Sequence, residues 1–309
     1  MDYKILKLKF KTAVHFGNGN LFDSGYVYRA DSLFSALCIE AVKLWGESGI
    51  NKLTDYVRQD KLKFSDALPY IDDTLYLPKP IRKITVDKQG DSQQKKAYKK
   101  LKYIPADKFY LYLKGDLQPE RETDSLKKLG KGYLSMKASV ADEEQTEPYP
   151  VGQYSFSARS GLYVVLAYEG EDILNFISEL FAALSYTGIG GKVSSGLGKF
   201  TVSAVKIPRD YLKALKAEDC NAYMSLSIGL PGEEELEDVM RDSCYSLVKR
   251  SGFVQSVDSS VPLYKKKDFY AFAAGSCFSR KFSGDIFDVS QRDNHAVYRY
   301  AKPLFIGVK

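Results

Sequence analysis

The chain has 309 residues, 44% of them hydrophobic and 27% charged, a balance that excludes wholesale disorder and leaves room for two domains of ordinary size. Its net charge of +6 permits a polyanionic partner without requiring one. Four widely spaced cysteines (Cys38, Cys220, Cys244, Cys277) without a C-x-x-C pair, and only two histidines, argue against a disulfide framework and against a zinc site.

In the first dozen residues Ile5, Leu6, Leu8 and Phe10 alternate with Lys4, Lys7, Lys9 and Lys11, the pattern of a strand with one buried face. This start has no signal-peptide core, and no run approaches the ~18 apolar residues of a membrane span, so the chain reads as cytosolic with reduced thiols and no membrane partner. After HFGNGN at 15–20, the residues Leu33, Phe34, Leu37, Cys38, Ala41, Val42 and Trp45 recur at helical spacing, with Asp31 or Ser32 as the N-cap. The N–H groups of that helix start are one place for a phosphate. Residues 68–78 read as a turn and a short strand ending at Pro78.

From Lys79 to Lys114 the composition shifts to eleven Lys/Arg against three Asp, with Tyr98, Tyr103, Phe109, Tyr110 and Tyr112 among the lysines. Lysines that neutralise phosphates and aromatics that stack on bases suit single-stranded RNA, and a solvated loop is the alternative. Residues 79–150 read as a basic and polar insertion projecting from the domain. Patterning resumes with a buried strand at 161–167, then a helix from Glu171 with Ile173, Leu174, Ile177, Leu180, Phe181 and Leu184 on one face, and a closing strand at 200–207. Without the insertion the order is strand, helix, strand, strand, helix, strand, that of a ferredoxin-like, RRM-like unit. Pro208 marks a boundary. A helical stretch to about 219, strand signals at 223–230, an acidic helix at 232–242 and strands with turns over 245–308 suggest a second, degenerate copy. The expected fold class is therefore α+β with two ferredoxin-like domains, 1–207 and 208–309.

Thr187 to Phe200, TGIGGKVSSGLGKF, carries Gly188, Gly190, Gly191, Gly196 and Gly198 with Ser194, Ser195, Lys192 and Lys199. Glycines admit close approach to the backbone, and consecutive N–H groups can form an anion-binding nest. The loop precedes a strand and lacks the Lys-Ser ending of a P-loop, which disfavours ATP or NAD. A structural turn and a grip on a phosphodiester backbone remain. His15 could be a general acid or base in RNA cleavage, with Tyr26, Tyr28, Arg29 or Lys192 as helper, or a hydrogen-bonding residue at a strand end; His295 reads as surface. Asp23, Asp31, Asp72 and Asp73 do not form a spaced ligand set, so neither metal nor cofactor is expected. The acidic run Glu233 to Asp238 reads as a solvated helix face.

FKTAVHFGNG (10–19), ADSLFSAL (30–37), GIGGKVSSGLGKF (188–200) and GSCFSRKFSGDIFDV with HAVYRYAKPLFIGV (275–308) together resemble subunit four of the type III-A CRISPR (Csm) effector complex, a family of the RAMP superfamily of RNA-binding proteins. The resemblance implies a non-catalytic subunit in antiviral defence that holds the repeat-derived 5′ tag of the CRISPR RNA (crRNA). Its implied partners are the large polymerase-like subunit and the adjacent backbone subunit, with target RNA met indirectly. Carried onto this chain, the tag surface would comprise His15, Gly17, Asn18, Ser32, Gly188, Gly190, Gly191, Lys192, Ser194, Ser195, Gly196, Gly198 and Lys199. Lys79, Arg82 and Lys83 would contribute from a thumb-like insertion. The alternative is a RAMP-type, metal-independent endoribonuclease that processes the CRISPR precursor with His15 as general acid or base.

Overall fold

A computed structural model describes residues 1–17, 19–82, 92–138, 147–254, 264–291 and 296–308. Strand β1 (Asp2–Phe10) leads to helix α1 (Ala30–Arg58), then β2 (Leu62–Phe64), β3 (Leu68–Ile71) and β4 (Thr74–Pro78). Helix α2 (Ser92–Lys100), β5 (Tyr103–Pro105), α3 (Phe109–Leu113) and α4 (Pro119–Leu126) precede a hairpin of β6 (Gly130–Ala138) and β7 (Pro148–Phe156). Next come β8 (Ser160–Tyr168), α5 (Glu171–Thr187), β9 (Phe200–Val205), α6 (Arg209–Leu215), β10 (Ala222–Ser225) and α7 (Glu233–Met240). Five short strands follow: β11 (Leu247–Arg250), β12 (Phe269–Phe272), β13 (Cys277–Phe278), β14 (Asp285–Asp288) and β15 (Tyr298–Ala301), before β16 (Phe305–Val308). The architecture is mixed α+β, and every ladder among the described residues is antiparallel.

The main sheet is ordered β5-β4-β3-β8-β1-β9, with β2 paired to β8. Strand β8 is buried along its whole length, and strand periodicity divides its side chains between two cores. Leu162, Val164 and Leu166 join Leu6 and Leu8 under α1 and α5. Tyr163, Val165 and Ala167 face the other way, with Ile5, Met224, Leu226, Ile306 and Val308. The lysine alternation of β1 thus misleads in one respect: Ile5, on the face opposite Leu6 and Leu8, is fully buried, because the C-terminal half of the chain covers it. Lys7 on that strand sends its ammonium over the Tyr70 ring at 4.6 Å and donates to Asp72 O.

The two halves share cores rather than meeting edge to edge. Tyr300 of β15 lies among first-half residues, stacked on Phe64 with ring centroids 4.3 Å apart, and its hydroxyl accepts from Phe64 N at 3.1 Å. Full burial of an aliphatic or aromatic side chain contributes about 1.5–3 kcal/mol relative to exposure. Ile5, Tyr163 and Val165 share their core with Met224, Leu226, Ile306 and Val308, and would lose part of that contribution if the C-terminal half were absent.

Two local expectations change. Helix α1 begins at Ala30, and neither Asp31 nor Ser32 caps it; Ala30 N donates instead to Asp66 Oδ1 at 2.8 Å. The helix is also broken at Gly46, whose φ of 63° and ψ of −148° end the predicted segment just after Trp45 and start a second helical run. In segment 79–150, β5 joins the main sheet, and Leu101, Ile104, Phe109, Tyr112 and Leu117 enter the second core. Of the five aromatics there, Phe109 and Tyr112 are buried and Tyr110 is exposed. The Tyr98 hydroxyl lies within hydrogen-bond reach of Gly115 O and Leu117 O. The hairpin β6–β7 forms a sheet of its own.

Asp66 ties the halves together: its Oδ1 also accepts from Ile228 N at 3.3 Å, and its N–H donates to Leu226 O. Burial pushes its carboxyl up to about 6, against the opposing pull of Arg29 and of the donated N–H groups. A carboxyl whose native pKa lies above its unfolded value binds more protons in the native state, so its contribution is full below the unfolded pKa and is lost as pH rises through the native one. Urea midpoints should therefore fall as pH rises from about 4 to about 6, and Asp66→Asn, which keeps the accepting oxygen, should remove that part of the slope.

Candidate nucleic-acid interface

The site is built outward from Ala13 to Phe16, the segment leaving β1. Val14 pairs with Tyr154 of β7, exchanging two backbone hydrogen bonds of 2.9 Å. On the other side, Ala13 O accepts from Gly198 N and His15 O from Gly191 N, both at 2.8 Å. The segment is therefore laced between the hairpin and the glycine loop. The His15 ring follows the same plan: Nδ1 donates to Gly152 O at 2.7 Å, because a carbonyl can only accept, and Nε2 is the other ring nitrogen.

In the glycine loop most N–H groups are engaged within the protein. Gly188 N bonds Leu184 O, Ile189 N bonds Gly198 O, Gly196 N bonds Val193 O, and Lys199 N bonds Thr12 Oγ1. Gly190 N–H faces the Tyr28 hydroxyl, a phenol that burial pushes well above its usual range. The glycines serve close packing more than a nest of free donors. A Cβ on Gly198, where φ is 77°, would collide with Ile189 O, and one on Gly191 would lie 2.6 Å from His15 Cδ2. Lys192, at φ 59°, holds a left-handed conformation uncommon for a side-chain-bearing residue.

His15, Gly17, Ser32, Gly188, Gly190 and Gly191 line a single cavity of about 570 Å³. Residues from three separate stretches of sequence thus converge. The remaining loop candidates lie beside it: Lys192 sends its ammonium over the Tyr149 ring of β7 at 5.3 Å, Ser194, Ser195 and Lys199 are exposed, and Gly196 and Gly198 shape the loop behind. Asn18, Lys83 and His295 lie outside the described residues. Arg82 is exposed, and Lys79, half-buried, donates to Tyr98 O and Lys99 O at the end of α2.

Five cations line the cavity (Arg29, Lys43, Arg250, Lys266 and Arg299) against two carboxylates, Asp31 and Glu40. Asp31, only 1% exposed, is held through Oδ2 by Arg250 Nε at 2.9 Å and by Arg299 Nη1 at 2.5 Å. Arg250 Nη2 also donates to Ser32 Oγ at 2.9 Å, so Ser32 is bound to the same guanidinium. Asp31 Oδ1 and Arg299 Nε are buried and have no hydrogen-bond partner among the described residues. Burial, with Arg299 nearby, pushes the Lys266 ammonium down to about 8. Apart from Arg29, none of these cations is marked by local pattern. Arg250 and Arg299 are 219 and 268 residues from Asp31 and reach it only through the tertiary fold.

Among the described residues, no group of His, Cys, Asp and Glu could hold a metal ion, and no helix is long and apolar enough to cross a membrane. The arrangement suits a flexible polyanion: a cationic cleft, hydrogen-bonding side chains at His15 and Ser32, and a rim that includes the backbone of a tight loop. Gly191→Ala should press on the His15 ring and destabilise the fold by about 1–3 kcal/mol. Gly25→Ala, where nothing lies within 4 Å of the added methyl, should be close to neutral in the same urea titration.

Comparison with known proteins agrees along the whole chain. The family model of the RAMP superfamily matches residues 7–201, and that of the CRISPR Csm4 C-terminal domain matches residues 218–308. A Mycobacterium tuberculosis protein described as CRISPR system Cms protein Csm4 is 36% identical over 100% of this chain and 98% of its own length. A Streptococcus thermophilus protein of the same description is 35% identical over 100% of both. In fold, the chain is similar to a solved Csm3–Csm4 subcomplex of the type III-A CRISPR-Cas interference complex, with a TM-score of 0.68 at 21% identity over 99% of each chain. A Csm1–Csm4 cassette in complex with cA4 gives 0.62 at 20%, over 100% of this chain and 98% of that one. With a relative above one-third identity along its full length and family matches in both halves, the chain belongs to the Csm4 family of the RAMP superfamily.

Proposed function

We propose that this chain is a non-catalytic, cytoplasmic RNA-binding subunit of a type III-A CRISPR interference complex, and that its cleft holds the repeat-derived 5′ tag of the crRNA. One observation carries the reading: His15, Gly17, Ser32 and the start of the glycine loop converge on one cavity lined by five cations. Lys192 extends the same surface toward the hairpin, and Ser194, Ser195 and Lys199 are exposed on the same loop. The relatives named Csm4, and solved Csm3–Csm4 and Csm1–Csm4 assemblies, support two protein partners, the adjacent backbone subunit and the large polymerase-like subunit, which the chain would bridge.

The order β3-β8-β1-β9, with α1 and α5 against one face, supports a ferredoxin-like unit over residues 1–207. Residues 208–309 are then a degenerate second copy. The insertion over 79–150, in which Tyr133, Leu134 and Met136 of β6 are exposed, is the thumb-like element that separates tag from guide, with Lys79 and Arg82 contributing RNA contacts from its start.

A second reading, metal-independent RNA cleavage, is favoured by one observation: His15 and Lys266, the latter pushed down to about 8, line the same cavity. The two readings separate in one preparation. Repeat RNA incubated with the purified chain in EDTA should stay intact; specific cuts lost in His15→Ala would establish cleavage. Lys192→Ala with Lys199→Ala should weaken retention of tagged RNA and reduce the slope of log affinity against log salt by about 1.4.

A further inference from the structure

We propose that Phe253 is a base-stacking platform, and that the cleft takes an unstacked nucleobase of single-stranded RNA against its ring. This rests on the RNA-binding reading and specifies what that site recognises. Phe253 is 63% exposed yet lines the same cavity as His15 and the glycine loop.

Its exposure is built in by the backbone. Phe253 pairs with Lys265 in an isolated antiparallel bridge, with Lys266 N donating to Gly252 O at 2.8 Å and Val254 N to Tyr264 O at 2.9 Å. Strand alternation then turns Val254 into a core with Ile228 and Ala271 and leaves Phe253 facing outward. Three residues earlier, Arg250 is fixed to Asp31 at 2.9 Å, so this wall of the cleft is anchored at its base and carries an aromatic at its rim.

A ring beside cations is how sequence-tolerant single-strand sites hold a base and its phosphate together: the cation neutralises the backbone and the ring takes the π-face. The cavity, about 570 Å³, lies within the range of small-molecule sites. A phosphate grip alone has no use for the phenylalanine.

The test titrates the full chain with a short single-stranded RNA of mixed sequence and with versions carrying one abasic nucleotide at each position in turn. Phe253→Ala should weaken the intact RNA about tenfold and Phe253→Trp by less than about twofold. One abasic position should weaken binding to the natural chain while adding no further loss in Phe253→Ala. Unchanged affinity in Phe253→Ala overturns the proposal, and so does an equal loss across every abasic RNA. If Phe253→Ala keeps RNA affinity but no longer co-purifies with its protein partners, the ring is a protein contact and the proposal again fails. If the double lysine variant does not weaken intact RNA, the RNA-binding reading itself has failed, a result distinct from failure of the stacking alone.

Discussion

Beneath the cleft, the Asp31 carboxylate at the start of α1 meets two guanidiniums brought from the far end of the chain, Arg250 on β11 and Arg299 on β15. Removing water from three charges is costly, and such clusters add little net stability over an apolar substitute. Breaking one is another matter: an uncompensated buried charge costs about 3–5 kcal/mol. The cluster therefore acts less as glue than as a register, allowing one placement of β11 and β15 against α1. Since arginine keeps its charge even when buried, the cleft retains its cationic floor at physiological pH. One guanidinium holds both Asp31 and Ser32, so the residue that lines the cleft and the residue that fixes the fold are coupled.

The upper part of the site depends on a different constraint. The segment Ala13 to Phe16 has the hairpin on one side and the glycine loop on the other, bonded to both through its backbone. Close approach is possible because Gly191 and Gly198 have no Cβ to meet His15 and Ile189. The imidazole is then oriented by Gly152 O through Nδ1. A loop packed this tightly presents a shaped surface whose own donors are mostly satisfied.

Much of this was legible in the residues. The period-two and helical patterns locate β1, α1, β8 and α5, because those elements bury apolar faces, and β9, of which Phe200 alone is buried. From sequence Asp31 reads as a cap because capping is a local rule, whereas its partners lie more than 200 residues away and no spacing announces them. Ile5 was read as half of a one-sided strand, since its lysine neighbours conceal that the second half of the chain covers the other face. The tyrosines of the basic segment could not be sorted by composition, and Phe109 and Tyr112 became core. Glycine-rich character correctly marked a close approach at residues 188–198, while the identity of what approaches, mostly the protein's own strand end, is a tertiary fact.

The central claim is that RNA occupies the cleft between the glycine loop, His15 and the arginine floor. Ultraviolet cross-linking of guide RNA to this chain within its assembled complex, followed by mass spectrometry of the nucleotide-bearing peptides, tests it most directly. The account predicts cross-links from the 5′ tag to peptides containing His15, the 187–199 loop and Phe253. Tag cross-links confined to α2, α4 or other surfaces remote from the cavity would contradict it.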